Sequence, residues 1–353
     1  MRAGIRSRPW AGIDVGSYSV KLVASMGGNT GSRSWIAEMP FAARDGGPDG
    51  PPAKDVVART VAGCLTQAGL TPRGLHGTSV GISGPDLIVK QISLPLLADE
   101  EVGSALRFEA RKHIPFDPQG MVIDFQILGR YPSEKRLDVL LAAVSQQHVD
   151  QHVAPLRLIG LDADIVDATP LALTNALVHG VSQVREPSLL LDIGHTSSHL
   201  VLYQRGEPYF TRRLEFGGKT LTLAIASSVR VPFEEAEEWK LAAGSEEPGF
   251  LVDWESREMQ AISECLRSDL MEELRRSFAF YRTLGHLPEP FRLWISGGSA
   301  RLPGLAARLT EMLDIPVLLF NPIESLPGPP SGGNRPVLGP QFAQAFGLAL
   351  RTS

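Results

Sequence analysis

Short apolar blocks that end in glycine occur at two places in the chain, and each is followed directly by further β-type sequence. WAGIDVG (residues 10–16) precedes SVKLVAS (19–25), and the short link between them predicts an antiparallel hairpin. SLLLDIG (188–194) precedes HLVLY (199–203) and YFTRRLEF (209–216), which predicts three consecutive strands. The two blocks lie about half the chain apart. This internal echo predicts two duplicated lobes.

The second half of the chain also contains a long apolar stripe at helical spacing. Its residues are Met259, Ile262, Leu266, Leu270, Leu274, Phe278 and Tyr281. Gly285 and Pro288 predict the end of this helix. The next segment predicts a strand at 291–296, a glycine turn, a helix that ends at Leu313 and a strand at 317–320. Strands and helices therefore alternate along the chain, which favours the α/β class.

Length and composition are those of an ordinary globular protein with more than one core. The chain has 353 residues, 43% hydrophobic and 21% charged. A single core rarely grows beyond ~250–300 residues, so the length agrees with two lobes. Two stretches rich in Gly and Pro, 44–52 and 322–340, predict surface loops.

Charge and cysteine content exclude several classes of function. The formal net charge is -5 and there is no basic block, which argues against general nucleic-acid binding. Cys64 and Cys265 are the two cysteines, without a CxxC motif, so neither a disulfide framework nor a Cys-rich zinc site is expected, and a reducing cytoplasm suits them. No window approaches ~20 uninterrupted apolar residues. We therefore expect no membrane span, and any role at a membrane runs through a partner.

The two hairpin turns, DVGSYS and DIGHTSS, carry residues suited to a phosphate chain. Their glycines expose backbone N–H groups and their hydroxyls add donors, which together can cradle phosphate oxygens. Asp14 and Asp192 would repel phosphate unless a cation lay between them, and Mg²⁺ with its own waters takes one or two carboxylates. Both aspartates are therefore predicted to hold Mg²⁺ through water, and Lys21 to face the phosphates. The alternative is that each Asp-Gly pair only closes a turn.

A third glycine turn, SGGSARLPG (296–304), is predicted to receive the base of a nucleotide. Gly297 and Gly298 let a flat ring approach the backbone, and Ser299 and Arg301 are placed to touch the ring edge or the ribose. The alternative is a strand-to-helix turn in which glycine only permits close packing. A Rossmann site is excluded because the pattern is not GxGxxG and the first turn leads into a strand, and no P-loop pattern is present.

These three motifs, GIDVGSYSVK, LLLDIGHTSSHLVL and WISGGSARLPG, resemble the two phosphate motifs and the adenosine motif of the actin-like ATPases. The resemblance implies an actin-like fold of two duplicated lobes around a cleft that binds ATP and Mg²⁺. EEAEEWK and FGGKT fit the same family. The implied nucleotide contacts, besides those above, are Gly16, Ser17, Tyr18, Gly194, His195, Thr196, Ser197, Ser198, Gly217, Gly218, Lys219, Glu237 and Lys240. His195 and Ser198 depart from the usual acidic or small residue and Thr, and Ser198 is still expected to donate to phosphate. For Glu237 and Lys240 a solvated helix face is an equal alternative.

Longer segments resemble one branch of that superfamily, the PilM family of type IV pilus assembly proteins. Residues 94–128 are similar to its inserted subdomain, through Glu109, HIPFD (113–117) and IDFQ, and later segments match in order. The expected domains are 1–93 (first lobe), 94–145 (inserted α+β subdomain), 146–185 (first lobe continued), 186–335 (second lobe) and 336–353 (helix returning to the first lobe). FtsA ends in a membrane-binding helix that is not seen after LALRTS, which points away from it.

The PilM resemblance implies a cytoplasmic scaffold at the inner face of the inner membrane. Its partner would be the N-terminal cytoplasmic tail of a PilN-like inner-membrane protein, bound between the first lobe and the insert around residues 94–145. A homo-oligomer or ring is a further implication. ATP hydrolysis, if any, would be slow, with Asp14 or Asp192 assisting water.

Two alternatives remain open from the sequence. A sugar or acid kinase of the same fold needs a carboxylate base, for which Asp167 is the one candidate, although Asp167 is more simply the N-terminal aspartate of a helix. An FtsA-like division protein would form filaments that depend on nucleotide. His148 and His152 lie four apart as a possible metal pair, but without a third ligand they favour an exposed helix face.

Overall fold

The structure is a computed structural model that contains three β-sheets and ten α-helices among the residues it describes. These residues are 8–26, 33–42, 52–114, 120–181, 186–204, 206–244, 252–283, 290–326 and 339–351. Gly285 and Pro288, HIPFD from Pro115 onward and most of the two loops expected at 44–52 and 322–340 lie outside them.

The strands are β1 (Trp10–Val15), β2 (Ser19–Met26), β3 (Arg33–Pro40), β4 (Gly77–Ile82), β5 (Ile88–Pro95), β6 (Met121–Tyr131), β7 (Arg136–Ser145), β8 (Ile165–Ala168), β9 (Ser188–Ile193), β10 (Ser198–Gln204), β11 (Glu207–Leu214), β12 (Arg292–Ser296) and β13 (Val317–Leu319). The helices are α1 (Lys54–Gln67), α2 (Asp99–His113), α3 (Gln146–Arg157), α4 (Thr169–Gly180), α5 (Gly218–Val229), α6 (Phe233–Ala243), α7 (Arg257–Cys265), α8 (Met271–Thr283), α9 (Leu305–Leu313) and α10 (Ala343–Ala349).

The first and second sheets are built on the same plan, as the internal echo predicts. The first has the order β3-β2-β1-β4-β8 and the second β11-β10-β9-β12-β13. In each, three antiparallel strands form a meander and the next two strands add in parallel. The prediction of two duplicated lobes is thereby confirmed.

The apolar stripe of the second half forms one continuous helical segment with an irregular centre. Between α7 and α8, residues Leu266–Leu270 adopt a π-helical turn. Within it, Ser268 Oγ donates to the carbonyl of Glu264 at 3.1 Å, which places a side chain in the backbone ladder. Leu266, Leu270 and Leu274 are buried in the core of the second lobe, so the stripe faces inward.

Helices α4 and α10 pack together where the two lobes meet. Leu173 and Leu177 of α4 and Phe346 of α10 share one buried cluster with strand residues of both lobes. A Cβ at Gly347 would lie 1.8 Å from the carbonyl oxygen of Ala172, so only glycine permits this approach. The lobes are therefore joined by a tightly packed helix pair beneath the space between them.

A third, smaller sheet lies in the chain between β4 and α3. It is antiparallel, has the order β5-β7-β6, and is covered on one face by α2 through Val102 and Leu106. On its other face Leu140 and Ala142 pack with Ala168 and Leu171 of the first lobe. The sheet spans residues 88–145, and the finer domain boundaries stay a prediction.

Candidate functional site

A cleft of about 270 Å³ lies between the two lobes and brings most of the predicted site residues together. Those that line it are Asp14, Gly16, Ser17, Tyr18, Lys21, Asp192, Gly194, His195, Thr196, Ser197, Gly218, Glu237, Lys240, Gly297, Gly298, Ser299 and Arg301. They come from all three glycine turns and from α5 and α6. Residues far apart in the chain thus face one shared space.

The two acidic hairpin turns meet across this cleft. Thr196 Oγ1 donates to Ser17 Oγ at 3.1 Å, and the rings of Tyr18 and His195 lie 5.2 Å apart. A Cβ at Gly194 would lie 2.6 Å from a backbone oxygen in the same turn, so glycine is what permits the tight geometry. Backbone and hydroxyl donors of both lobes therefore converge on one place.

In the first lobe, three cleft-lining side chains stand in register across the meander. Asp14 pairs with Lys21 across β1 and β2, and Lys21 pairs with Glu38 across β2 and β3. Lys21 Nζ lies 3.3 Å from Asp14 Oδ2. Burial alone would lower the pKa of Lys21, but the charges of Asp14 and Glu38 outweigh it and raise the pKa. Lys21 is therefore held as a cation beside two carboxylates.

Such a set of three side chains in register across the meander is called a row below. The equivalent row of the second lobe carries different groups. Asp192 pairs with His199 across β9 and β10, and His199 pairs with Arg213 across β10 and β11. Burial raises the pKa of Asp192 to about 6, helped by the like charge of Asp14 and opposed by a 2.8 Å hydrogen bond from Ser296 Oγ. Burial, with the charge of Arg213, lowers the pKa of His199 to about 4. His199 is therefore neutral near pH 7.

Asp14 and Asp192 line the same cleft, and the like charge of Asp14 contributes to the raised pKa of Asp192. Two like charges in one partly buried space favour a bound cation, because a cation lowers the free energy of both. Among the described residues, no cluster of three or more His, Cys, Asp or Glu could hold a metal directly. Coordination of a metal by this pair through water stays a prediction.

In the second lobe, the cleft-lining residue Lys240 is fixed by a small network. Its Nζ donates to the Gly218 carbonyl at 2.8 Å, to Thr222 Oγ1 at 2.7 Å and to Glu237 Oε2 at 2.7 Å. Burial lowers the pKa of Lys240, although Glu237 opposes this shift. The two side chains therefore belong to the cleft wall, which excludes the alternative of a solvated helix face.

The third glycine turn lines the cleft beside this network, since a Cβ at Gly218 would lie 2.7 Å from Ser299 Oγ and 3.2 Å from Lys240 Nζ. Gly297 has a φ of 89°, and a Cβ there would lie 2.4 Å from the Ile193 carbonyl oxygen, so this backbone needs glycine. Arg301 lines the cleft, and its Nε is buried without a hydrogen-bond partner. A buried donor with no partner is costly, so this atom is suited to a ligand.

Three predicted contact residues do not line the cleft. Ser198 is fully buried and donates to the carbonyl of Phe216 at 2.6 Å, so the expectation that its hydroxyl reaches phosphate is wrong. Gly217 leaves no room for a Cβ beside the His195 carbonyl, and the Lys219 backbone N–H donates to that carbonyl at 2.8 Å. These residues shape the turn behind the cleft.

Several cleft residues were not anticipated from the sequence, chiefly Glu38, Ser83, Gly84, His199, Arg213, Gln341 and Gln344. Alternation along the meander strands could have found Glu38, His199 and Arg213, because each faces the same side as the aspartate of its row. Gln341 and Gln344 come from the far end of the chain, and no local pattern marks them.

The remaining polar candidates have structural partners. Asp167 lies at the end of a strand, not on the first turn of α4, and accepts from Arg351 Nε at 2.7 Å. It does not line the cleft, so a kinase-type reaction there loses its one candidate base. His148 is bound to Asp86 at 2.6 Å, and His152 is largely buried, so the expected exposed helix face is wrong for this pair.

The two matching lobes, the cleft between them and the paired aspartates define an actin-like ATPase fold. Residues 12–353 match the family model described as type IV pilus assembly protein PilM. The chain belongs to this family.

Individual relatives agree with this family membership. A solved PilM-PilN type IV pilus biogenesis complex has a chain 29% identical to this one, with a TM-score of 0.78, covering 96% of this chain and 97% of that chain. The ethanolamine utilization protein EutJ from Carboxydothermus hydrogenoformans is 14% identical, with a TM-score of 0.54, over 99% of this chain and 91% of that one, which shows the fold alone.

A curated relative comes from the division branch of the superfamily. Cell division protein FtsA of Borreliella burgdorferi is 27% identical over 178 residues, which is 46% of this chain and 42% of FtsA. The match thus spans less than half of FtsA.

No helix among the described residues has both the length and the apolar character needed to cross a membrane.

Proposed function

We propose that this chain is a scaffold of type IV pilus assembly that binds ATP with Mg²⁺ in its cleft and binds the N-terminal cytoplasmic tail of a PilN-like inner-membrane protein. The observation that supports it most is the match of nearly the whole chain to PilM, including the PilM chain of a PilM-PilN complex. The tail would bring the scaffold to the inner face of the membrane.

The residues present fit a nucleotide with its metal. Ser17 and Thr196 bring hydroxyl groups from both lobes to one space, and Asp14 and Asp192 face the same space. Proteins of this fold generally bind nucleotide with a divalent metal. When bound, Mg²⁺ offsets phosphate charge; the protein's part is to hold its waters through the two aspartates.

The base would occupy the part of the cleft beside the third glycine turn. Gly298 leaves open space above the backbone for a flat ring, whereas Gly297 is needed for close packing against Ile193. The buried, unpartnered Arg301 Nε belongs to the same turn and also lines the cleft. Glu237 and Lys240, fixed against each other, line the cleft near this turn. A planar, donor-bearing ligand fits these groups.

The proposed tail site lies on the small sheet beside the first lobe. On one face of β6, Val122, Asp124 and Gln126 are exposed, whereas Leu128 further along the same strand packs against the first lobe. β6 is also an edge strand, so its outer backbone groups are free of ladder partners within this sheet. An extended peptide can bind such an edge and read the adjacent side chains.

Nucleotide binding is tested by titrating ATP into the purified chain in a calorimeter, with Mg²⁺ or with EDTA. We expect binding that Mg²⁺ strengthens. Absence of heat and of retained ATP in equilibrium dialysis at millimolar concentration would contradict this half of the proposal.

Tail binding is tested separately with a synthetic peptide of a PilN cytoplasmic N-terminus and a scrambled peptide. Asp124→Lys on the exposed face of β6 should weaken binding of the native peptide, while Glu100→Lys on the exposed first turn of α2 should not. Equal binding of both peptides, or equal loss in both variants, would contradict the site.

A further inference from the structure

The small sheet is joined to the first lobe by two chain segments, and these segments meet at one side chain. The chain enters the sheet through residues 83–87, which follow β4, and leaves it at Ser145, the last residue of β7. Asp86 lies in the entering segment and binds Ser145 in the leaving one. Both connections are thus tied together at the base of the sheet.

The contacts at this point form a closed cluster. Asp86 Oδ2 accepts from Ser145 Oγ at 2.7 Å and from the Ser145 backbone N–H at 3.3 Å, and Asp86 Oδ1 lies 2.6 Å from His148 Nδ1. Ser145 Oγ in turn accepts from the His148 backbone N–H at 3.2 Å and caps the start of α3. One carboxylate therefore holds the end of β7 and the first turn of α3.

The same cluster touches the wall of the nucleotide cleft. Ser83 and Gly84, three and two residues before Asp86, line the cleft. A Cβ at Gly84 would lie 2.3 Å from His148 Cε1, so the imidazole rests directly on the Gly84 backbone. His152, one turn later, supports the His148 ring from behind, with ring centres 6.4 Å apart. A shift of residues 83–84 towards α3 would therefore displace the His148 ring.

We propose that Asp86, Ser145 and His148 act as a clip that transmits changes in the nucleotide cleft to the small sheet and its tail site. This inference rests on the proposed binding of ATP and of the tail. The three are positioning residues, because none of them is placed against the nucleotide. Ligand binding at one end alters the strain on the clip and hence the geometry of β6 at the other. If ATP changes the affinity for the tail, linkage requires that the tail change the affinity for ATP by the same factor, typically about 5- to 150-fold.

The small sheet offers a matched control for the clip. Asp138 also accepts from a serine, Ser93 Oγ, at 2.7 Å, and pairs with Arg136 on its own strand. This cluster stays within β5 and β7 and does not line the cleft. Replacing Asp138 therefore removes similar contacts from the sheet, but these contacts do not connect the sheet to the nucleotide cleft.

The experiment measures hydrogen–deuterium exchange of residues 121–145 in the full chain, with and without ATP and Mg²⁺. We expect ATP to change exchange in β6 and β7 of the wild type. Asp86→Ala should remove this response while ATP still binds, and Asp138→Ala should keep it. Asp86→Asn should restore it, because an amide can accept from Ser145 and donate to His148. Should Asp86→Ala not fold, Ser145→Ala replaces it.

A second readout is the ATP affinity with and without a synthetic PilN tail peptide. The ratio of the two affinities, expected to reach roughly fivefold or more in the wild type, should fall to near one in Asp86→Ala. ATP binding without any response in residues 121–145, or a response that survives Asp86→Ala or is lost equally in Asp138→Ala, overturns the clip alone. Failure of the wild type to bind ATP overturns the clip and the proposed function together.

Discussion

The two lobes place the same three strand positions at the cleft but fill them with different side chains. The first lobe has Asp14, Lys21 and Glu38, and the second has Asp192, His199 and Arg213. The aspartate that ends the first strand of each meander is common to both rows; the other two positions differ. Duplicated backbone thus fixes where a side chain stands, whereas its neighbours fix its charge.

The electrostatic consequences of this difference are opposite. The middle residue of the first row is a cation, because carboxylates on both sides raise the pKa of Lys21. The middle residue of the second row is neutral, because burial and Arg213 lower the pKa of His199. Asp14 therefore has a cationic partner beside it, while Asp192 has none on its neighbouring strand.

The largest expected effect follows from removing the cation of the first row. Lys21→Met leaves the buried carboxylate of Asp14 without its ion-pair partner, which should cost about 3–5 kcal/mol in the free energy of unfolding. Lys112→Met, which removes an exposed lysine paired with Glu109, should cost at most about 1 kcal/mol. Urea unfolding measures both. Equal losses in the two variants would show that the row is not an electrostatic unit.

The second row predicts a pH dependence in which neighbouring residues act in opposite directions. The pKa of His199 is about 4 in the folded protein, below its ordinary 6.5. The unfolded chain therefore binds a proton at His199 more readily than the folded protein does, and the free energy of unfolding falls as pH falls from 6.5 to 4. The pKa of Asp192 is about 6, above its ordinary 3.8, so its contribution to stability rises as pH falls through the same range. Each effect amounts to about 3 kcal/mol.

His199→Gln should therefore lose less stability than the wild type between pH 6.5 and 4. Asp192→Asn should be more stable than the wild type above pH 6 and lose that advantage towards pH 4. Unfolding in EDTA at several pH values measures both differences. Variant curves that run parallel to the wild-type curve would mean that neither group titrates as its burial requires.

Asp14 and Asp192 occupy the same position in the two rows, so we expect them to have the same role in holding the metal of a bound nucleotide. Measurements of ATP binding test this expectation. Asp14→Asn and Asp192→Asn should each weaken ATP binding in Mg²⁺ by about 10- to 100-fold, the usual effect of losing a group that orients a metal's bound waters. In EDTA this loss should disappear or reverse, because without a cation the two carboxylates repel the phosphates. Asp138→Asn serves as the control. Loss in one aspartate variant alone would assign the metal to a single lobe.

The sequence allowed the fold and most of the cleft to be predicted because the informative signals are local. An aspartate, a glycine turn and a following strand lie within a few residues in both DVGSYS and DIGHTSS, so the backbone and its donors follow from short-range rules. Glu38 and Arg213 depend on strand register, which a linear pattern shows less directly. Ser198 was misplaced because the side of the turn that its hydroxyl faces is set by tertiary packing against Phe216.

The smallest expected effects come from the outer residue of each row. These residues are Glu38 in the first lobe and Arg213 in the second, and their charges are opposite. Glu38→Gln leaves Lys21 with one carboxylate partner fewer, so more of its charge acts on the triphosphate and ATP affinity should rise. Arg213→Gln removes a cleft cation and should lower the affinity. Both residues stand two strands from the aspartate of their row, so we expect changes on the order of two- to fivefold, which salt should reduce. Titrations at low and high salt measure both changes. Changes of the same sign would mean that the rows do not act through charge, since the two substitutions alter the net charge of the cleft in opposite directions.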